Sequence, residues 1–109
     1  MTDQITHVGF FGDGEHRFIL TDEMLAELER IAGTGIAALY TQIAKLQFNA
    51  AILADIIRLG LIGGGTAPEV ALRLIGSYAR NRPIDELLPL ALDILDARWT
   101  GVRAGQAAA

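Results

Sequence analysis

Residues 50–69 read AAILADIIRLGLIGGGTAPE, and this stretch decides how the chain is organised. Between Ala50 and Ile62 the only charged side chains are Asp55 and Arg58, so the segment predicts a helix that is buried on nearly all sides. It is shorter than the roughly 20 apolar residues that a membrane-spanning helix needs. We therefore expect the core to form around a central helix from about residue 49 to residue 62.

The glycine run that follows this helix has two interpretations. It resembles a phosphate-binding loop, but that motif, G-x-x-x-x-G-K-[ST], requires a lysine where Gly65 stands and a strand before the glycines. The alternative is a boundary between helices. Gly63 then ends one helix in the left-handed conformation, and Thr66 with Glu69 forms a T-x-x-E capping box for the next. We favour the boundary, with Gly63, Gly64 and Gly65 between two helices.

Residues 5–20 predict a β-hairpin before the helices, because Asp13-Gly14 lies between two β-prone runs. The register is open between a three-residue loop with Gly14 left-handed and a two-residue Asp13-Gly14 turn. We prefer the first, since one coherent apolar face fixes a register. It groups four apolar side chains: Val8, Phe10, Phe18 and Leu20. That face is expected to pack on the helices, because a lone hairpin is marginal in water.

Apolar residues at helical spacing predict further helices on both sides of the central one. The first is capped by Thr21 and ends at Gly33, and the second has an apolar stripe that includes Tyr40 and Leu46. The fourth covers about residues 67–80, and Tyr78 belongs to its apolar stripe. The fold class is therefore mainly α (α+β), with a short N-terminal β-hairpin followed by a bundle of about five short helices.

The last helix is predicted to carry more apolar surface than a surface helix requires. It begins near Asp85 as N-cap, with Pro89 in its first turn. Its core stripe comprises Ile84, Leu87, Leu88, Ala91, Leu95 and Trp99. Leu90 and Ile94 widen the apolar arc to about 200° at about 100° per residue. Leu90, Ile94 and Trp99 are therefore candidate residues for binding a partner or a second copy.

The chain is expected to be one domain over residues 1–103, with the hairpin at 5–20, the helices at 21–100 and a frayed tail at 104–109. It has 109 residues, of which 51% are hydrophobic, and a formal net charge of −4. The sequence has no basic stripe of the kind that nucleic-acid-binding proteins carry, and no secretory signal is visible. There is no cysteine for a disulfide or a metal site.

The residues able to carry chemistry are few. His7 and His16 lie on the hairpin without a third metal ligand at suitable spacing, so we interpret them as exposed strand residues. Ser77 lacks the glycines of a nucleophile elbow. Asp93 and Asp96 share a helix face, which is more typical of a solvated surface than of acid–base catalysis. We therefore predict no enzymatic activity, cofactor or metal.

Three arginines, Arg73, Arg80 and Arg82, cluster near the end of the fourth helix. They suit the negative end of that helix, and they could also meet an acidic partner. We favour the structural role for the arginines. The surplus apolar helix surface indicates an interaction protein.

The order of segments resembles the tail assembly chaperone family of gene transfer agents and related tailed phages. Residues 18–29, FILTDEMLAELE, are similar to that family's strand-into-helix entry, and residues 60–65 to its "GL.GGG" loop. The final helix, from Pro89 to Trp99 and Gly101, matches a "P…L….L" pattern that ends in an aromatic residue and glycine. The resemblance covers about residues 14–101.

This resemblance implies a non-enzymatic role in building a phage-like tail. Such a protein is expected to bind the tape-measure protein in the host cytoplasm and to help recruit tail-tube subunits, with self-association a further option. The family is also described as tail-tube protein, which gives the alternative of a structural tube or connector component. We favour the chaperone at this stage, because a stacked tube needs extensive β-sheet and this sequence predicts one hairpin.

Overall fold

The computed structural model describes residues 2–101, and within them it confirms the predicted fold class. A 3-10 turn at Thr2–Ile5 leads into an antiparallel hairpin of β1 (Thr6–Phe11) and β2 (Gly14–Ile19). The helices that follow are α1 (Asp22–Ala32), α2 (Ile36–Ala44), α3 (Ala51–Gly63), α4 (Pro68–Tyr78) and α5 (Ile84–Trp99). The tail predicted to fray, residues 104–109, lies outside the described residues.

Helix α3 is the centre of the fold, as the sequence predicts. It contacts β2, α1, α4 and α5, and Leu53, Ile56, Ile57 and Leu61 are completely shielded from solvent. Each such side chain contributes about 1.5–3 kcal/mol by leaving water. The other elements are therefore held together mainly by burying their apolar faces on this helix.

Local capping features set the bounds of α1, and a left-handed residue follows the end of α2. The Thr21 hydroxyl accepts a 3.2 Å hydrogen bond from the Met24 amide, and Gly33 closes α1 in the left-handed region at φ 72°, both as predicted. Helix α2 ends earlier than expected. Leu46 lies beyond it at φ 59° and is 68% exposed, so its place in the apolar stripe is a wrong prediction.

The glycine run is a helix boundary, but the left-handed residue is Gly65 rather than Gly63. Helix α3 continues through Gly63, and Gly65 has φ 110°. The Gly65 amide donates to the Ile62 carbonyl at 3.1 Å, and the Thr66 amide donates to the Leu61 carbonyl at 2.9 Å. This bond pattern is the Schellman C-cap, which satisfies carbonyls at the helix end.

The predicted capping box of Thr66 and Glu69 is wrong. The N-cap of α4 is Ala67, and no side chain makes a capping hydrogen bond there. Pro68 occupies the first position of the helix, where its missing N–H costs nothing. The Thr66 amide is already engaged by the end of α3, so this residue belongs to the preceding cap.

Gly63 and Gly64 are required for a different reason, which is the contact with β2. A Cβ atom at Gly63 would lie 1.8 Å from the Ile19 carbonyl oxygen, and one at Gly64 would lie 2.0 Å from the Arg17 carbonyl oxygen. Real Cβ atoms do not approach that closely. The end of α3 therefore packs backbone against backbone on the outer edge of β2.

The preferred register of the hairpin is wrong. The loop has two residues, Gly12 and Asp13, with Phe11 opposite Gly14. Only Gly12 of the two has a positive φ, of 66°, which is the signature of a type II′ turn. The pairing of the two strands is shifted by one residue from the expected register, so the expected apolar face does not form. Val8 is 55% exposed and Phe10 is 70% exposed, on the outer side of the sheet.

The inner face is formed instead by Phe11, Phe18 and the two histidines. The rings of His7 and His16 lie 6.1 and 6.4 Å from the Phe18 ring, and both are partly buried. The interpretation of the histidines as exposed residues is therefore wrong. An imidazole ring can pack its carbon atoms on Phe18 and keep a ring nitrogen near solvent. The inner face of the hairpin therefore does not need to consist of apolar residues alone.

Helix α5 begins earlier than expected, and Pro89 lies inside it. The helix starts at Ile84 with Pro83 as N-cap, so Asp85 belongs to its first turn and is not the cap. Because proline has no N–H, the Asp85 carbonyl lacks the usual donor four residues later. The Glu86 amide donates to the Pro83 carbonyl at 3.0 Å, and this bond begins the first turn.

Candidate protein-binding site

The two residues predicted to widen the apolar face of α5 lie in different environments. Ile94 is 1% exposed, and one of its methyl groups lies close to Gly60 of α3. It is therefore a core residue, and its predicted place on an exposed surface is wrong, because the central helix and the hairpin cover that side of α5. Leu90 is only partly buried.

Trp99 takes part in an aromatic contact between helices α2 and α5. Its ring stacks on Tyr40, with centroids 5.2 Å apart and planes 11° apart, and it remains 53% exposed. The Tyr40 hydroxyl donates a hydrogen bond to the Asp96 carboxylate. This bond raises the pKa of Tyr40, and desolvation and the negative charge of Asp96 raise it further. Asp96 is thus a structural partner of Tyr40.

The three arginines of the predicted cluster are all exposed, and two of them, Arg80 and Arg82, lie beyond the end of α4. Helix α4 has no basic residue in its last turn, since it ends at Tyr78. Arg82 pairs with Glu86 at 3.0 Å across the start of α5. Within residues 2–101, Arg73 and Arg80 make no ion pair, so their role as contacts for an acidic partner stays a prediction.

An open groove of about 380 Å³ lies between the hairpin tip and the start of α5. Its lining comprises Phe10, Phe11, Gly12, Tyr78, Arg82, Glu86, Leu87 and Leu90. Polar and apolar atoms contribute about equally to its surface, and the Arg82–Glu86 ion pair is part of the lining. The Phe11 and Tyr78 rings meet edge to face at 6.2 Å and 75°, which is a favourable aromatic geometry.

Position 12 requires glycine because of Tyr78, which lines this groove. Its φ of 66° suits glycine, and a Cβ atom there would lie 2.3 Å from the Tyr78 ring. The tip of the hairpin and the end of α4 are therefore in direct contact. The groove depends on this contact for its shape.

The edge of β1 borders the same groove. In a two-residue hairpin the closing pair exchanges both backbone hydrogen bonds, and the bonded pairs then alternate along the strands. Phe11, Gly9 and His7 thus face β2, while the N–H and C=O groups of Val8 and Phe10 face outward. Within residues 2–101, Val8 and Phe10 have no backbone hydrogen bond to a third segment.

Polar groups on and beside the hairpin form separate pairs within residues 2–101. The His7 Nε2 atom lies 3.8 Å from an Asp93 carboxylate oxygen, and His16 Nε2 lies 2.8 Å from Asp13. Among the described residues no group of three or more His, Cys, Asp or Glu side chains could hold a metal ion. Asp93 places a largely exposed carboxylate on α5, one turn beyond Leu90 and beside β1.

Sequence reasoning did not find the groove. Tyr78 was expected in the core stripe of its helix and Phe10 on the inner face of the hairpin, yet both are exposed and line this surface. The sequence does contain one usable signal. Gly12 at the first loop position followed by Asp13 is compatible with a type II′ turn, which fixes the other register.

The fold and the groove together define a small α+β protein with exposed apolar side chains and an open strand edge. None of the described helices is both long enough and apolar enough to cross a membrane. A family model described as "Phage tail tube protein, GTA-gp10" matches residues 4–101, and the chain belongs to this family of phage-type tail proteins of gene transfer agents. No curated protein and no solved structure matches the chain.

Proposed function

We propose that the chain is a non-enzymatic component of tail formation in a gene transfer agent or related phage-like particle, and that it acts by binding other protein chains. The observation that carries this proposal is the family match over residues 4–101. The groove beside β1 and the exposed aromatic residues Phe10 and Trp99 support a protein-binding role.

Between the two roles, the family description favours a structural tail protein of the tube. The open edge of β1 is compatible with that role. The sheet has two strands, so a larger sheet in the tube would require a segment of another tail protein to add a strand at this edge. In this role the protein stays in the finished particle.

The second candidate is a tail assembly chaperone that binds the tape-measure protein in the host cytoplasm and releases it as the tube forms. The observation that favours it is the composition of the fold, five helices around one short hairpin, which offers little sheet for a stacked tube. In this role the protein is present during assembly and is absent from the finished particle.

Purified particles separate the two roles. We would tag the chain at its N-terminus, express it from its own gene cluster, and measure by quantitative mass spectrometry how many copies remain per particle. A count comparable to that of the most abundant tail proteins supports the structural role. Its absence from particles, together with co-purification of the tape-measure protein from lysates, supports the chaperone.

A third result would overturn both roles. If deletion of the gene leaves tail length, tail number and particle yield unchanged, the chain does not act in tail formation. A deletion strain complemented with the wild-type gene is the matched control for this measurement.

A further inference from the structure

The open edge of β1 lies beside the groove, whose lining combines aromatic and leucine side chains with the Arg82–Glu86 ion pair. The edge and the groove together suggest how a partner binds. Phe10 contributes to both, because its backbone N–H and C=O face the edge and the residue lines the groove. Leu87 and Leu90 of α5 also line the groove. An edge strand that borders a helix groove can accept an extended peptide by strand addition.

We propose that β1 binds an extended segment of a partner protein as a third strand, and that this segment carries apolar residues at alternate positions and a basic residue at one end. The backbone of the segment pairs with Val8 and Phe10. Its inward side chains enter the groove against Tyr78, Leu87 and Leu90. This inference rests on the proposed protein-binding function and names the surface that performs it.

The apolar part of the segment follows from the residues around the edge. β1 reads THVGFF, with no charged residue and no proline to discourage strand addition. Alternate residues of an added strand point to opposite sides. One set therefore lies on the side of Val8 and Phe10, whose side chains are exposed, and the other set lies on the opposite side of the strand.

The basic residue follows from charge. Asp93 lies beside the N-terminal half of β1 with a side chain that is 57% exposed, and its ion-pair partner within residues 2–101 is His7 at 3.8 Å. The Glu86 carboxylate is already paired with Arg82. A lysine or arginine of the incoming segment would thus form an ion pair with Asp93.

Charge also argues against a second copy of this chain as the occupant. Each copy has a formal net charge of −4. Pairing two β1 edges would bring the acidic α5 helices of both copies to one interface, with no basic residue on β1 to compensate. A basic segment from a different protein is favoured for the same reason.

The test uses the full chain and a synthetic peptide, acetyl-Lys-Val-Thr-Val-Thr-Val-Lys-amide. Hydrogen exchange of individual backbone amides is followed by NMR as peptide is added. We expect the exchange of the Val8 and Phe10 amides to slow by at least about tenfold. The Gly9 amide is the internal control, because it already bonds to β2 and should change little.

Two peptides with N-methyl groups at alternate positions test the strand geometry. Methylation of the residues that bond to β1 should abolish binding, while methylation of the other set should leave it intact, because only one set of N–H groups faces the edge. Equal loss with both peptides would overturn strand addition.

Charge reversal tests the basic end. Asp93→Lys should weaken binding by about fivefold and favour the same peptide with glutamate in place of lysine. Glu69→Lys is the matched control, since it makes the same charge change at an exposed position outside the groove. Equal effects of the two variants would contradict a role for Asp93.

The remaining outcomes also decide the inference. No change at Val8 and Phe10 with millimolar peptide overturns it. Protection that appears without peptide as the protein concentration rises would assign the edge to a second copy, which overturns it as well. Neither result bears on whether the chain acts in tail formation, which the particle experiment tests separately.

Discussion

The two strands of the hairpin meet the helices in different ways. The outer edge of β2 is closed by α3, where Gly63 and Gly64 bring the helix backbone against the Ile19 and Arg17 carbonyl groups. The outer edge of β1 faces the groove beside α5 and leaves Phe10 70% exposed. One small hairpin therefore has a closed side and an open side.

This difference indicates a division of roles within one sheet. On the closed side, glycines and fully buried residues such as Phe18 and Leu20 allow close packing, which stabilises the fold. On the open side, large apolar side chains remain in water, where they contribute little to stability. An exposed apolar edge is a liability for an isolated protein, so its presence favours a contact function.

The largest loss of stability is expected from an acidic residue introduced into the core between α5 and α3. Ile94→Asp should reduce the free energy of unfolding by about 5 kcal/mol, because it removes a buried side chain and buries a carboxyl group without a partner. Leu90→Asp, in the groove of the open side, should cost about 1–2 kcal/mol. Urea unfolding followed by circular dichroism measures both, and equal losses would contradict the assigned burial.

A Cβ atom at the closed edge should have the next largest effect. Gly63→Ala is expected to cost about 3–4 kcal/mol, since the added carbon must displace the Ile19 carbonyl or the end of α3. Gly76→Ala is the control, because a Cβ atom there meets nothing within 4 Å and alanine favours the helix by about 1 kcal/mol. If both variants are stabilised, the close approach to β2 is wrong.

A smaller effect is expected at the tip, where the closed and open sides meet. Gly12→Ala should cost about 2 kcal/mol, partly from φ 66° and partly from the Tyr78 ring. Adding Tyr78→Ala removes the clash, so the double variant should be more stable than the sum of the single changes predicts. A double-mutant cycle from thermal unfolding measures this coupling, and simple additivity would argue against the contact.

The smallest effect is expected on the open side itself. Phe10→Ser should change the free energy of unfolding by less than about 0.5 kcal/mol, because the side chain is mostly in water already. Phe18→Ser, on the inner face, should cost more than about 3 kcal/mol. If the two substitutions have similar costs, the register of the hairpin must be the other one.

How far the candidate site could be predicted depends on which contacts define it. Leu90 was found from the width of the apolar arc of α5, and it does line the groove. Ile94 belonged to the same arc but is buried, because helical periodicity gives a direction around the axis and not what covers that direction. Phe10 and Tyr78 were missed, since both were assigned to the core from their spacing alone.

The secondary-structure elements and their order could be predicted from the sequence, because they depend on local chemistry. Thr21 caps α1, Gly33 ends it, and the apolar run before the glycines forms a central helix. The other features follow from tertiary packing. The strand register, the need for glycine at Gly63 and Gly64, and the choice of which apolar residues stay exposed all depend on contacts between segments distant in sequence, and local spacing does not encode such contacts.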